Sequence, residues 1–109
     1  MKKLFISCPM KDKSNAEIIE TRNTILERVK LATGEDDLEL IDSFFQGAPH
    51  DATPLWFLGK SLELLSTADI VAFGPDWDKY RGCKMEHECA KKYGFKILLP
   101  EDYYPHCCG

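Results

Sequence analysis

The residues best suited to chemistry in this chain lie between Arg81 and Gly94, in the run RGCKMEHECAKKYG. It reads as a helix with an acid on its apolar side. At about 100° per residue, Gly82, Cys83, Met85, Cys89, Ala90 and Tyr93 share one arc, and Lys84, His87, Glu88, Lys91 and Lys92 fill the other. Glu86 falls within the apolar arc. A carboxylate placed there must be paired, lie near a helix start or sit at the bottom of a pocket, because burying a bare charge costs several kcal/mol. Two readings stay open. Glu86 either stabilises the first turns of the helix or pairs with Arg22 or Arg81, or it is a nucleophile or general base at the mouth of a cleft.

Composition sets the outer limits. A chain of 109 residues, 44% hydrophobic and 29% charged, fits one soluble globular domain spanning 1–109, with a tail from about 101. A net charge of −4 argues against a nucleic-acid polymer or an anionic membrane surface as partner, while leaving small anions open. No apolar run approaches the ~20 residues of a membrane span, and the stretch after Met1-Lys2-Lys3 is too short for a signal peptide, so a cytoplasmic location is expected. The five cysteines are an odd number with no CxxC pair and read as reduced thiols. His106-Cys107-Cys108 reads as a frayed tail rather than a metal site, and neither metal nor cofactor is expected.

Four strands must position the acid. Lys3 to Ser7 is a short apolar strand that ends in Cys8-Pro9-Met10-Lys11-Asp12-Lys13. Ser14 and Glu17 form a capping box for a helix whose stripe is Ile18, Ile19, Ile25, Leu26, Val29 and Ala32, closed by Gly34. Lys11, Lys13 and the free N–H groups at Ser14 could hold a phosphate or carboxylate. Arg22 projects from the middle of the stripe and calls for a partner carboxylate or a subunit interface. Leu38 to Ile41 is a second strand, with Asp42 and Phe44 just past its end and a loop over 46–53 long enough for a lid. Thr53 caps a helix with Pro54 at its first position and a stripe of Leu55, Leu58, Leu62 and Leu65. Trp56, Phe57 and Leu64 widen that stripe and suggest burial by a second subunit, as a homodimer or higher homo-oligomer, with a large surface patch as the alternative.

Ala68 to Phe73 is the most apolar strand, as a central parallel strand should be, and Lys96 to Leu99 is the last. The alternation βαβαβαβ predicts an α/β fold with a parallel sheet of four to five strands and helices on both faces. The loops after Ser7, Asp42 and Gly74 then open on one edge, with Glu86 facing the same cleft. The neighbours suit a nucleoside or nucleotide: cations and N–H donors for a phosphate, Trp77, Phe44 and Tyr80 for a planar base, and carboxylates for a sugar.

Three segments carry a family resemblance: Phe5-Ile6-Ser7-Cys8-Pro9-Met10, Gly59-Lys60-Ser61 through Ala68-Asp69-Ile70-Val71, and Trp77 through Arg81-Gly82-Cys83-x-x-Glu86-x-x-x-Ala90-x-x-x-Gly94. Together they resemble the nucleoside 2-deoxyribosyltransferase superfamily, in particular its small bacterial and phage branch, over nearly the whole chain. The resemblance implies a flavodoxin/Rossmann-like three-layer sandwich that cleaves the N-glycosidic bond of a deoxynucleoside or its 5′-monophosphate. It makes Glu86 the nucleophile and assigns substrate contacts to Ser7, Cys8, Pro9, Met10, Lys11, Asp42, Phe44, Trp77, Arg81 and Gly82. At two positions the chain departs from the family pattern. Ser61 stands where the characterised members carry an aspartate beside the nucleophile, and Tyr80 where they use Asp or Ser. If Ser61 and Tyr80 take over those catalytic places, they do so as hydroxyls, which cannot accept a proton as a carboxylate does. A catalytically weak nucleotide-binding or sequestering domain, or a protein-interaction module, is therefore the alternative.

Overall fold

The computed structural model describes residues 2–9, 13–42 and 50–103. The expectations for Met10, Lys11, Phe44, residues 46–49 of the proposed lid and His106-Cys107-Cys108 lie outside them. The elements run β1 (Lys2–Ser7), α1 (Asn15–Thr33), β2 (Leu38–Leu40), α2 (Pro54–Leu65), β3 (Ile70–Phe73), α3 (Arg81–Lys92), β4 (Lys96–Leu98) and α4 (Pro100–Tyr103), with a 3-10 turn at Trp77–Lys79. The sheet has four parallel strands in the order β2-β1-β3-β4, flanked by helices, which is a flavodoxin/Rossmann-like arrangement.

The register follows from β1 and β3. Leu4 pairs with Ile70 and Ser7 with Phe73. Asp69 clamps the start of this pair: its carboxylate accepts from the Lys3 N–H and its own N–H donates to the Lys3 carbonyl, each at 2.8 Å. Alternation along both strands then divides the core. Leu4, Ile6, Ile70 and Ala72 pack with Ile25, Val29 and Tyr103 on one face, and Phe5, Val71 and Phe73 pack with Leu65 and Ala90 on the other.

Helix starts formed where the cap chemistry placed them. Glu17 N–H donates to Ser14 Oγ at 3.2 Å, and Trp56 N–H to Thr53 Oγ1 at 3.1 Å. Gly34 closes α1 at φ 72°, the left-handed conformation that favours glycine.

The apolar stripes are narrower than expected. On α1 the buried seam is Ile18, Arg22, Ile25 and Val29, and Ile19 and Ala32 lie exposed. On α2 only Leu65 is fully buried, Leu55 is 73% exposed, and Leu64 packs partly buried against the core instead of facing outward. On α3 the seam is Cys83, Glu86 and Ala90, whereas Met85 and Tyr93 are exposed. Tyr93 is the helix cap, past the last helical turn, and so escapes the arc that periodicity gives it.

The end of the described chain also differs from a frayed tail starting at 101. Leu99 N–H donates to the Asp102 carboxylate and caps α4. Tyr103 is buried, and its hydroxyl donates to the Phe73 carbonyl at 2.6 Å. That bond ties α4 to the C-terminal end of β3.

Candidate functional site: a buried carboxylate at the end of the inner strands

Parallel strands bring their C-terminal ends to one edge, and α3 enters the site there. Its start at Arg81 has the extended Tyr80 as cap, with the Lys84 N–H donating to the Tyr80 carbonyl at 3.0 Å. Glu86 follows five residues later, beyond the free N–H groups of the first turn. It is 8% exposed. Ser7, the last residue of β1 and also buried, donates from Oγ to Glu86 Oε1 at 3.0 Å.

Burial decides the proton affinity of this acid. It pushes Glu86 from 4.5 up to about 7, against the opposing pull of the Ser7 hydrogen bond and of the Arg22 charge. Glu86 also lies past the first turn of α3, which holds no acid, so it is not a simple N-terminal anion. Burial likewise pushes Cys83 up to about 11 and raises Cys8, so both thiols are neutral near pH 7.

A cleft of about 200 Å³ opens onto Glu86, lined by Cys8, Pro9, Pro54, Phe57, Leu58, Ser61, Tyr80, Gly82 and Cys83. Six of the expected residues thus meet in one place: Glu86, Ser61, Tyr80, Cys8, Pro9 and Gly82. Ser7 joins through its hydrogen bond. Arg81 lines an adjoining groove of about 650 Å³, whose apolar wall includes the exposed Leu55, Phe57 and Met85.

Two expected contacts lie elsewhere. Trp77 stacks on His87, with ring centroids 4.4 Å apart, and leans on Phe73, so its face is already occupied by protein. His87, expected on the solvated arc, is half-buried for the same reason. Asp42 is exposed, two residues past β2, and is not part of the cleft wall. Lys13 lines a second hollow of about 290 Å³ on the α1 side, with Thr21, Thr24, Pro75 and Asp76. The two hollows meet at Cys8 and Pro9.

Cys83, Phe57 and Leu58 were missed as cleft residues. Their signal was available, since the first turns of α2 and α3 must both open on the edge where the strands end. Gly74 was missed as well. Its N–H donates to the Ser7 carbonyl at 2.8 Å, and a Cβ there would sit 2.7 Å from Cys8 Cβ. Only glycine lets β3 approach the start of the site this closely.

Among the described residues no three His, Cys, Asp or Glu side chains gather as a metal site requires, and no helix is long and apolar enough to cross a membrane. Fold and site together define a doubly wound α/β protein with a buried, hydrogen-bonded carboxylate beside its two inner strands. No family model, curated protein or solved structure matches the chain.

Proposed function

We propose that the protein cleaves or transfers the N-glycosidic bond of a deoxynucleoside or its 5′-monophosphate, with Glu86 as nucleophile. The observation that carries this reading is the placement of Glu86: buried, bonded to Ser7 and open to a cleft at the strand ends. Ligands of open α/β sheets bind at that edge. The resemblance of the Gly82-x-x-x-Glu86-x-x-x-Ala90 element to deoxyribosyltransferases agrees with it.

In the reaction, a Glu86 oxygen forms a bond to the anomeric carbon as the bond to the base nitrogen breaks. The bonding pair leaves with the base, which takes a proton from solvent. Water, or the nitrogen of a second base, then attacks the same carbon, gives up its proton to solvent and releases Glu86 as carboxylate. Burial serves this chemistry, because a poorly hydrated carboxylate attacks more readily than a solvated one. The hydroxyls of Ser61 and Tyr80 on the cleft wall suit the sugar and the departing base.

One observation favours a second reading. Among the described residues lining the cleft, Glu86 is the sole carboxylate, with Ser61 at the place of the family's aspartate. A protein of that kind would hold a nucleotide and turn it over slowly or not at all. Incubation with a panel of deoxynucleosides and their 5′-monophosphates separates the two. Free base detected by chromatography supports the enzyme, and a ligand-dependent rise in melting temperature without base release supports the binder.

A further inference from the structure

Arg22 is the polar member of an otherwise apolar seam. Ile18, Ile25 and Val29 share its face of α1, and it is 4% exposed. A leucine or methionine would complete that seam without the cost of desolvating a guanidinium. What Arg22 touches gives it a use. Its Nη2 donates to the Ile6 carbonyl at 3.3 Å, and its charge acts on the neighbouring Cys8 thiol. Ile6 and Cys8 bracket Ser7 along the chain. Alternation points Ile6 toward α1 and Ser7 toward α3, where its hydroxyl meets Glu86. Arg22 therefore anchors the strand end at the peptide next to the residue that holds the carboxylate.

We infer that Arg22 is a positioning residue for Glu86: from the opposite face of β1 it fixes the backbone beside Ser7 and places a buried guanidinium within electrostatic reach of the carboxylate. The groups around Glu86 single it out for this. β1 contributes Ser7 and the thiol of Cys8, α2 contributes Ser61, the segment before α3 contributes Tyr80, and α3 itself contributes Cys83. Lys13, before α1, acts on Cys8. Both thiols are neutral near pH 7, and among the described residues Arg22 is a cation whose charge favours ionised Glu86. The consequence for turnover rests on Glu86 being the reacting group, but the effect on its ionisation does not.

The test follows the Glu86 carboxylate through its titration, by infrared difference spectroscopy with Glu86→Gln as the blank and no substrate present. Arg22→Gln keeps a donor for the Ile6 carbonyl and removes the charge. Arg22→Lys keeps the charge. The titration midpoint should rise by about one pH unit or more in Arg22→Gln and stay within about half a unit of the unmodified protein in Arg22→Lys. If Arg22→Gln does not fold, Arg22→Met, whose side chain matches the apolar seam of Ile18, Ile25 and Val29, takes its place. An unmoved midpoint in a folded charge-removed variant overturns the inference. An equal rise in Arg22→Lys overturns the role of the charge. Since substrate is absent, a failure to find base release would leave this result standing.

Discussion

The Ser7 hydroxyl lies 3.0 Å from Glu86 Oε1, which joins the last residue of β1 to the second turn of α3 inside the protein. Ser7→Ala removes a donor that favours the ionised acid, so the Glu86 midpoint should move above about 7. Loss of a hydrogen bond to a buried charged group should also cost about 1.5–3 kcal/mol at pH 8, where Glu86 is ionised. Infrared titration and urea denaturation measure the two effects. A midpoint at or below that of the unmodified protein would contradict this account of the site.

The raised pKa makes Glu86 a pH-dependent liability. At pH 4 the folded and unfolded chains both bind this proton. Between 4.5 and about 7 the unfolded chain releases it while the folded one retains it, so stability falls as pH rises through that window. The full penalty is present above about 7 and amounts to roughly 3 kcal/mol. Glu86→Gln escapes it. Its melting temperature relative to the unmodified protein should therefore climb between pH 4.5 and 8, a trend scanning calorimetry reads directly. A constant difference would show that the acid is not buried as described.

Gly74 tests the packing beneath the site. Its would-be Cβ meets Cys8 Cβ at 2.7 Å, an atom fixed by the backbone, and the Ile25 methyl at 3.3 Å. Gly74→Ala must push β3 away from β1 at the point where Ser7 ends the strand. The expected cost is about 1–3 kcal/mol in chemical denaturation. An alanine variant as stable as the original would mean that the two strand ends have room to separate.

Tyr103 tests the last helix. Tyr103→Phe keeps the buried ring and loses the donor to the Phe73 carbonyl, so it should destabilise by about 1–2 kcal/mol. Truncation after Leu99 should cost more, because it also strips Tyr103 from the core cluster it shares with Leu4 and Ile25. Equal stability of the truncated chain would return α4 to the status of a tail.

The parts legible in the sequence are those fixed by local chemistry. Ser14 with Glu17 and Thr53 with Pro54 announce helix starts through their own side chains, and the unbroken apolar run at Ile70–Phe73 demands cover on both faces, which only an inner strand receives. The buried acid was legible too, as a carboxylate within an apolar arc. What escaped depends on where each helix end meets the sheet. Leu55 and Met85 look like core residues by periodicity, but both lie in the first two turns of their helices at the edge where the strands stop, so they line the groove instead. Trp77 looked available for a ligand because nothing in the sequence says that His87 will occupy its face. Tyr103 was hidden by its place near the chain end, where a single aromatic carries no periodic signal.

The central claim is that Glu86 attacks the anomeric carbon, and the rate of base release by Glu86→Gln tests it most directly. Gln preserves size and much of the hydrogen bonding but lacks the anionic oxygen. With whichever deoxynucleoside or deoxynucleotide the unmodified protein cleaves, the substitution should lower release by at least about 10³-fold, with fold and ligand affinity retained. Activity within about tenfold of the original, or no base release from any member of the panel by the unmodified protein, would contradict the claim.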